Sequence, residues 1–176
     1  MPSPGERKAT QMGSIKIRKQ PELFNTPFEL GLRMVYLLFA LRPGGADLQK
    51  LVLLDYAIVY SQDVGGPASL HTPVPYRNAE LFSRRERIEQ GLYLMSTRGL
   101  VDIVLDDRGM TYLAGPSSFT MVGSLSSRYW RELEKRCAWA AERFGATDST
   151  ELLKIFSDAG HLWGAEVESA DQRRLL

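Results

Sequence analysis

Histidine and cysteine, which often bind metals or act in catalysis, are sparse in this chain of 176 residues. Its two histidines, His71 and His161, lie far apart in sequence, and neither has a cysteine or carboxylate at the spacing of a zinc site. The single cysteine, Cys137, falls on the apolar stripe of a predicted helix, where cysteine behaves as a small hydrophobic residue. We therefore expect no metal site and no cysteine nucleophile.

Motifs that position substrates or phosphates are also missing from the sequence. It has no GxxxxGK[ST] loop, no GxGxxG fingerprint, no HExxH and no CxxC. No lysine follows Gly65 and Gly66 at phosphate-loop spacing, so these glycines indicate a turn. A small active site built from Asp55, Asp63 and His71 is one hypothesis, but dispersed polar residues of this kind occur in most proteins of this size. We expect a protein that is not an enzyme and has no cofactor.

The strongest electrostatic feature is a group of arginines on the predicted third helix and the tip of the hairpin that follows it. Its members are Arg84, Arg85, Arg87, Arg98 and Arg108. These side chains could contact DNA phosphates. However, Glu86 and Glu89 share the helix and Asp107 adjoins Arg108, whereas a dedicated DNA reader is usually more basic. The group is compatible with solvated surface, protein contact or DNA contact.

Composition and charge place the chain among folded globular proteins. It carries 22 basic and 21 acidic residues, and 44% of its residues are hydrophobic. The most apolar run, residues 34–41, is far shorter than the roughly 20 apolar residues that span a bilayer. With one cysteine and no pattern of the secretory kind, we expect a cytoplasmic protein without a membrane span.

The first elements of the chain are a tail and a helix that is apolar on two faces. Residues 1–22 mix proline, glycine, serine and charge without a period, which predicts a flexible tail. Thr26, Pro27 and Glu29 form the pattern of a capping box, so a helix should begin at Pro27. Because apolar residues cover two sides of this helix, it is either central in the domain or partly buried against another subunit.

A second helix should follow Asp47, which can cap it. Asp55 lies among its apolar residues and needs a partner if buried, such as Arg33 or Arg77. The segment from Gln62 to Tyr76 has three prolines and two glycines and is a long loop, of a kind that is often functional.

The third helix, predicted for 78–98 with Arg84, Arg85 and Arg87 outward, should stop at Gly99. After it the period changes to two on both sides of "DDRG", which predicts a strand, a turn and a strand. Three helices followed by a hairpin is the winged-helix order. We therefore predict a mainly α fold with a small β-hairpin, consisting of a winged-helix core at 23–145 and a helical extension at 146–176.

Five stretches of the chain, taken in order, resemble one known family. They are "LLDY", "SQDVGGP", "SLHTPVPYR", "ELFSRRERIEQGL" and "STRGL". From about Phe24 to Phe144 the chain resembles the middle component of bacterial three-component ABC-type ATPase (ABC-3C) systems, the group to which Lamassu-type defence systems belong.

The resemblance implies a non-catalytic adaptor in a hetero-oligomer with an SMC-like ABC ATPase and an effector nuclease, acting against phage or plasmids. DNA would be sensed chiefly through the assembled complex. Partner contacts are expected at Asp63, His71, Arg84 and Arg85. The alternative is a winged-helix DNA-binding transcriptional regulator that uses the five arginines. The excess apolar surface of the first helix favours an interface.

Overall fold

The computed structural model describes residues 25–72, 77–107 and 109–158. In these ranges it contains six α helices, a short 3-10 helix and one antiparallel strand pair. The helices are α1 (Pro27–Leu41), α2 (Leu48–Val59), α3 (Arg77–Ser96), α4 (Ser118–Ser124), α5 (Arg128–Phe144) and α6 (Ser149–Asp158); the 3-10 helix spans Ser61–Val64. The strands are β1 (Val101–Asp106) and β2 (Gly109–Ala114). The predicted tail, Arg108, His161 and most of the predicted extension lie outside the described residues.

The first helix lies at the centre of the molecule. Its capping box is formed as predicted, since the Glu29 backbone N–H donates to Thr26 Oγ1 and the Thr26 backbone N–H donates to Glu29 Oε2. Every residue from Leu30 to Leu38 is buried, and α1 packs against α2, α3, α4 and α5. The chain therefore covers both apolar faces itself over this stretch, with only Phe28 near the start of the helix exposed, and the inference that excess apolar surface on this helix marks an interface is wrong.

Two glycines bring α1 and α3 into backbone contact. A Cβ atom on Gly91 would lie 2.4 Å from the Pro27 carbonyl oxygen, and one on Gly31 would lie 2.7 Å from the Gly91 carbonyl oxygen. Real Cβ atoms do not approach oxygen so closely. The glycines are thus required by the close approach of the two helices.

The second helix and the carboxyl-terminal helices complete the core. Asp47 caps α2, accepting a 2.7 Å hydrogen bond from the Lys50 backbone N–H. The stripe predicted on α5 is buried at Leu133, Cys137, Ala140 and Phe144. Helix α6 packs back on α2, with Leu152 and Phe156 buried. None of the helices in the described ranges is long and apolar enough to cross a membrane.

The hairpin follows α3 after a turn at Gly99, whose φ of 66° is the left-handed conformation expected at a helix stop. Six residue pairs run from Val101 and Ala114 at the base to Asp106 and Gly109 at the tip. Ala46 forms an isolated bridge to Tyr112, which ties the hairpin base to the segment before α2. The predicted mainly α fold with a small hairpin is confirmed, and its order is compatible with a winged helix.

Candidate functional site

In the described residues, the main cluster of buried charged side chains surrounds Asp55 on α2. Arg33 on α1 donates to Asp55 Oδ1 from Nε at 2.9 Å and to Oδ2 from Nη2 at 3.0 Å. Arg84 on α3 donates to Oδ2 from Nη1 at 3.3 Å. All three residues are buried. One carboxylate therefore joins three helices, and the predicted partnership with Arg33 is confirmed.

These charges stabilise one another. Burial by itself would raise the pKa of Asp55, but the charges of Arg33 and Arg84, with smaller contributions from the Arg33 hydrogen bond and from His71, hold that pKa below its ordinary value. Burial alone would lower the pKa of Arg33. The charge and hydrogen bonds of Asp55 outweigh that effect, so the pKa of Arg33 lies above its ordinary value. The group is therefore ionised at neutral pH.

Aromatic side chains connect this charge group to the loop after α2. The Tyr129 hydroxyl lies 3.2 Å from His71 Nε2 and also hydrogen-bonds with Arg33. The Tyr56 hydroxyl donates a 2.7 Å hydrogen bond to Asp63 Oδ2. Asp63 and His71 are therefore engaged within the chain and only partly exposed.

The loop is also fixed to α5. Arg136 donates to the Ala68 carbonyl oxygen from Nη2 at 2.7 Å and from Nε at 3.1 Å. Ser61 Oγ donates to the Pro67 carbonyl oxygen at 2.9 Å. Hydrogen bonds thus anchor the described part of the predicted loop, although about half of its residues are exposed, while residues 73–76 lie outside the described ranges.

The carboxylate of Asp55 and the thiol of Cys137 are both shielded from solvent. Asp55 is fully buried, and burial raises the pKa of Cys137, which keeps its thiol protonated. A cavity of about 240 Å³ lined by Glu29, Arg33, Tyr129 and Trp130 reaches the edge of the charge group. Among the described residues no group of three or more His, Cys, Asp or Glu could hold a metal ion.

The residues expected to contact a partner occupy different environments. The prediction that Arg84 points outward is wrong, because the residue is 2% exposed and bound to Asp55. Its neighbour Arg85 is exposed and donates to Gln49 Oε1 at 2.9 Å. Of the four predicted contact residues, Arg85 alone is fully on the surface.

The arginines considered for DNA contact do not form one surface group. Arg84 is buried, and Arg87 is partly buried. Arg98, in the turn after α3, is exposed and donates to the Leu94 carbonyl oxygen near the end of that helix at 2.8 Å. Arg108 lies outside the described residues. The exposed basic surface in this region is therefore smaller than the sequence suggested.

An exposed apolar surface on the hairpin was missed by sequence reasoning. Ile103, Leu105 and Met110 share one face of the strand pair with Tyr112, because directly opposite residues and residues two apart point the same way. Tyr112 is buried against the body, whereas Leu105 is 76% exposed and Ile103 and Met110 are also exposed. The sequence signal that could have revealed this surface is three apolar residues next to a charged hairpin turn. Exposed apolar residues that lie together often mark an interaction site.

Comparison with known proteins identifies one family. No curated protein and no solved structure matches the chain. The family model for the ABC-three component (ABC-3C) system Middle Component 2 matches residues 23–166, which is most of the chain. The protein whose helices meet at Asp55 and whose hairpin projects an apolar face therefore belongs to the Middle Component 2 family of ABC-3C systems.

Proposed function

We propose that this protein is a non-catalytic adaptor that bridges an SMC-like ABC ATPase and an effector nuclease in a bacterial complex that defends against phage or plasmids. The observation that carries the proposal is the family match over residues 23–166. A middle component works with the other components of a multi-subunit system. The bridging role, the identity of the partners and the defence role are the proposed steps.

The structure supports an adaptor by how its reactive groups are used. The buried carboxylate of Asp55 binds two arginines, and the one thiol, Cys137, lies in the core. ATP would be bound by the SMC-like partner and DNA would be sensed by the assembled complex. This chain would supply rigid surfaces that hold the other two components in a fixed relationship.

A DNA-binding regulator is the second candidate, favoured by the hairpin that follows α3 and by exposed Arg85 and Arg98. Against it, the segment from Val101 to Ala114 contains three aspartates and one arginine, a net charge of −2. Acidic residues at a wing repel phosphates. We therefore place DNA contact mainly in the partner components.

Co-purification tests the proposal. The full chain would be expressed with the ATPase and the nuclease of its own system, each carrying a different affinity tag. We expect all three to elute together, and the ATPase and nuclease to separate when the middle component is left out. Recovery of an ATPase–nuclease complex of the same yield without this chain would overturn the bridging role.

Two further measurements separate the candidates. Cells that carry the complete system should restrict phage or lose a plasmid, and deletion of this component should abolish that effect. Duplex DNA binding by the purified chain should be weak. Tight binding whose logarithm falls steeply with the logarithm of salt concentration would favour the regulator.

A further inference from the structure

The hairpin carries the most prominent exposed apolar surface in the described part of the chain. Ile103, Leu105 and Met110 continue the face that Val101 and Tyr112 bury at the base. Isolated exposed apolar residues need no explanation, but neighbouring ones on a single face mark a site of interaction. We call Ile103, Leu105 and Met110 the hairpin patch.

The opposite face of the hairpin carries acidic residues on either side of one exposed apolar residue, Val104, which is 47% exposed. Asp102 and Asp106 alternate with Val104 on β1, and Asp107 begins the turn. Asp102 and Asp107 are exposed. An apolar patch with acidic side chains in the turn and on the reverse face of the same hairpin suits a partner whose apolar side chains are flanked by lysine or arginine, because complementary charges steer association and fix its register.

The charge of the hairpin also disfavours two other binding partners for the patch, a second copy of this chain and nucleic acid. A second copy that used the same patch in a two-fold contact would bring two hairpins of net charge −2 together, and like charges placed opposite one another disfavour such a contact. Nucleic acid would bring its phosphates close to the same aspartates. A basic-flanked protein segment has neither penalty.

We propose that the hairpin patch is the docking surface for a protein segment with an apolar centre and basic flanks in another component of the same system. This inference rests on the proposed adaptor function and adds the surface and the chemistry of the partner. The anchor is Leu105, since it is the most exposed of the three and opposes Met110 directly in the register.

The test compares two isoleucines of nearly equal exposure. Ile103 on the hairpin is 42% exposed and Ile155 on α6 is 40% exposed. The full chain with Ile103→Lys, Leu105→Lys or Ile155→Lys would be titrated against each purified component. We expect the two hairpin variants to lose about 10-fold or more in affinity for one component, as residues at the centre of an interface do, while Ile155→Lys binds as the wild type does.

A second pair of variants tests the charge. Asp102→Lys should weaken the same binding and reduce its dependence on salt, whereas Glu142→Lys on α5, also exposed, should change neither. Circular dichroism melting of all variants should match the wild type, because each position is on the surface. A hairpin variant with wild-type melting and wild-type affinity would overturn the proposal.

The outcomes distinguish the two proposals. If the wild-type chain binds no other component, the adaptor function fails. If it binds but Leu105→Lys and Ile155→Lys bind equally well or lose equally, only the hairpin proposal fails. A wild-type dimer in light scattering, or DNA binding, that Leu105→Lys abolishes would assign the patch to a second copy or to nucleic acid and would also overturn it.

Discussion

Asp55 on α2 accepts paired hydrogen bonds from Arg33 on α1, at 2.9 and 3.0 Å, across 22 residues of sequence. Arg84 on α3 binds the same carboxylate. Two arginines thus share one aspartate in a place that water does not reach. Loss of the Asp55 charge, by mutation or by acid, would leave two buried arginines without a counter-charge, which makes the group sensitive to both.

The first prediction concerns neighbouring arginines on α3. Arg84→Glu should lower the free energy of unfolding by about 3 kcal/mol or more, because it breaks a buried ion pair and places a second acid beside Asp55. Arg85→Glu should change it by about 0.5 kcal/mol or less, since Arg85 is exposed. Urea denaturation followed by circular dichroism measures both. Equal effects would contradict the burial difference.

The burial of Arg84 determines which variants can be used to test DNA or partner binding. A double charge reversal at Arg84 and Arg85 would damage every function by unfolding the chain. Arg85→Glu alone tests the surface, and any loss that it causes can be attributed to contact.

The second prediction is a pH dependence from Asp55. Its pKa is lowered by folding, so as the pH falls the unfolded chain takes up this proton first, near the ordinary value of about 3.9. The stability that the carboxylate contributes is complete above about pH 5 and is lost as the pH falls toward the folded-state pKa. Urea titrations between those limits should show a steeper loss for the wild type than for Asp55→Asn. Parallel curves would show that Asp55 has the same pKa in both states.

The third prediction compares two helical glycines. Gly91→Ala should destabilise the protein by about 1 to 3 kcal/mol, because the new methyl group would meet the backbone of α1. Gly123→Ala on α4 has open space around it and should stabilise by up to about 1 kcal/mol through helix propensity. Thermal melting distinguishes the two signs. A stabilising Gly91→Ala would mean that α1 and α3 are further apart than described.

The fourth prediction concerns the thiol. Cys137 is 1% exposed and burial raises its pKa, so a thiol reagent should label it slowly in the folded protein and rapidly in denaturant. The folded-state rate should rise in Arg84→Glu, which populates open states, and stay unchanged in Arg85→Glu. Mass spectrometry gives the labelled fraction. Fast labelling of the folded wild type would contradict its place in the core.

The helices and their caps were predictable because their signals are local. Thr26, Glu29 and Asp47 cap helices where the sequence placed the caps, and Gly99 ends α3 within two residues of the expected end. The central position of α1 followed from its two apolar faces. The short helix α4 was not predicted specifically, since its serine, threonine and glycine give a weak helical signal.

The burial of Arg84 could have been predicted from spacing. It lies four residues before Ile88 and eight before Leu92, on the stripe that is buried. Its charge suggested the surface, although Asp55 already required a buried cation. The exposure of Ile103 and Leu105 had a different cause, because alternation along a strand reveals which face is apolar but does not reveal how far the body of the protein extends beneath it.

The hairpin is buried at its base, at Val101 and Tyr112, and exposed toward its tip. From Ile103 to Asp106 a strand advances about 10 Å, and both of its sides are open along that length. A binding pocket in a partner could therefore contact both faces of the exposed end of the hairpin, while the helical body of this protein remained accessible. One component could then bind the hairpin while a second component bound a separate surface on the helices.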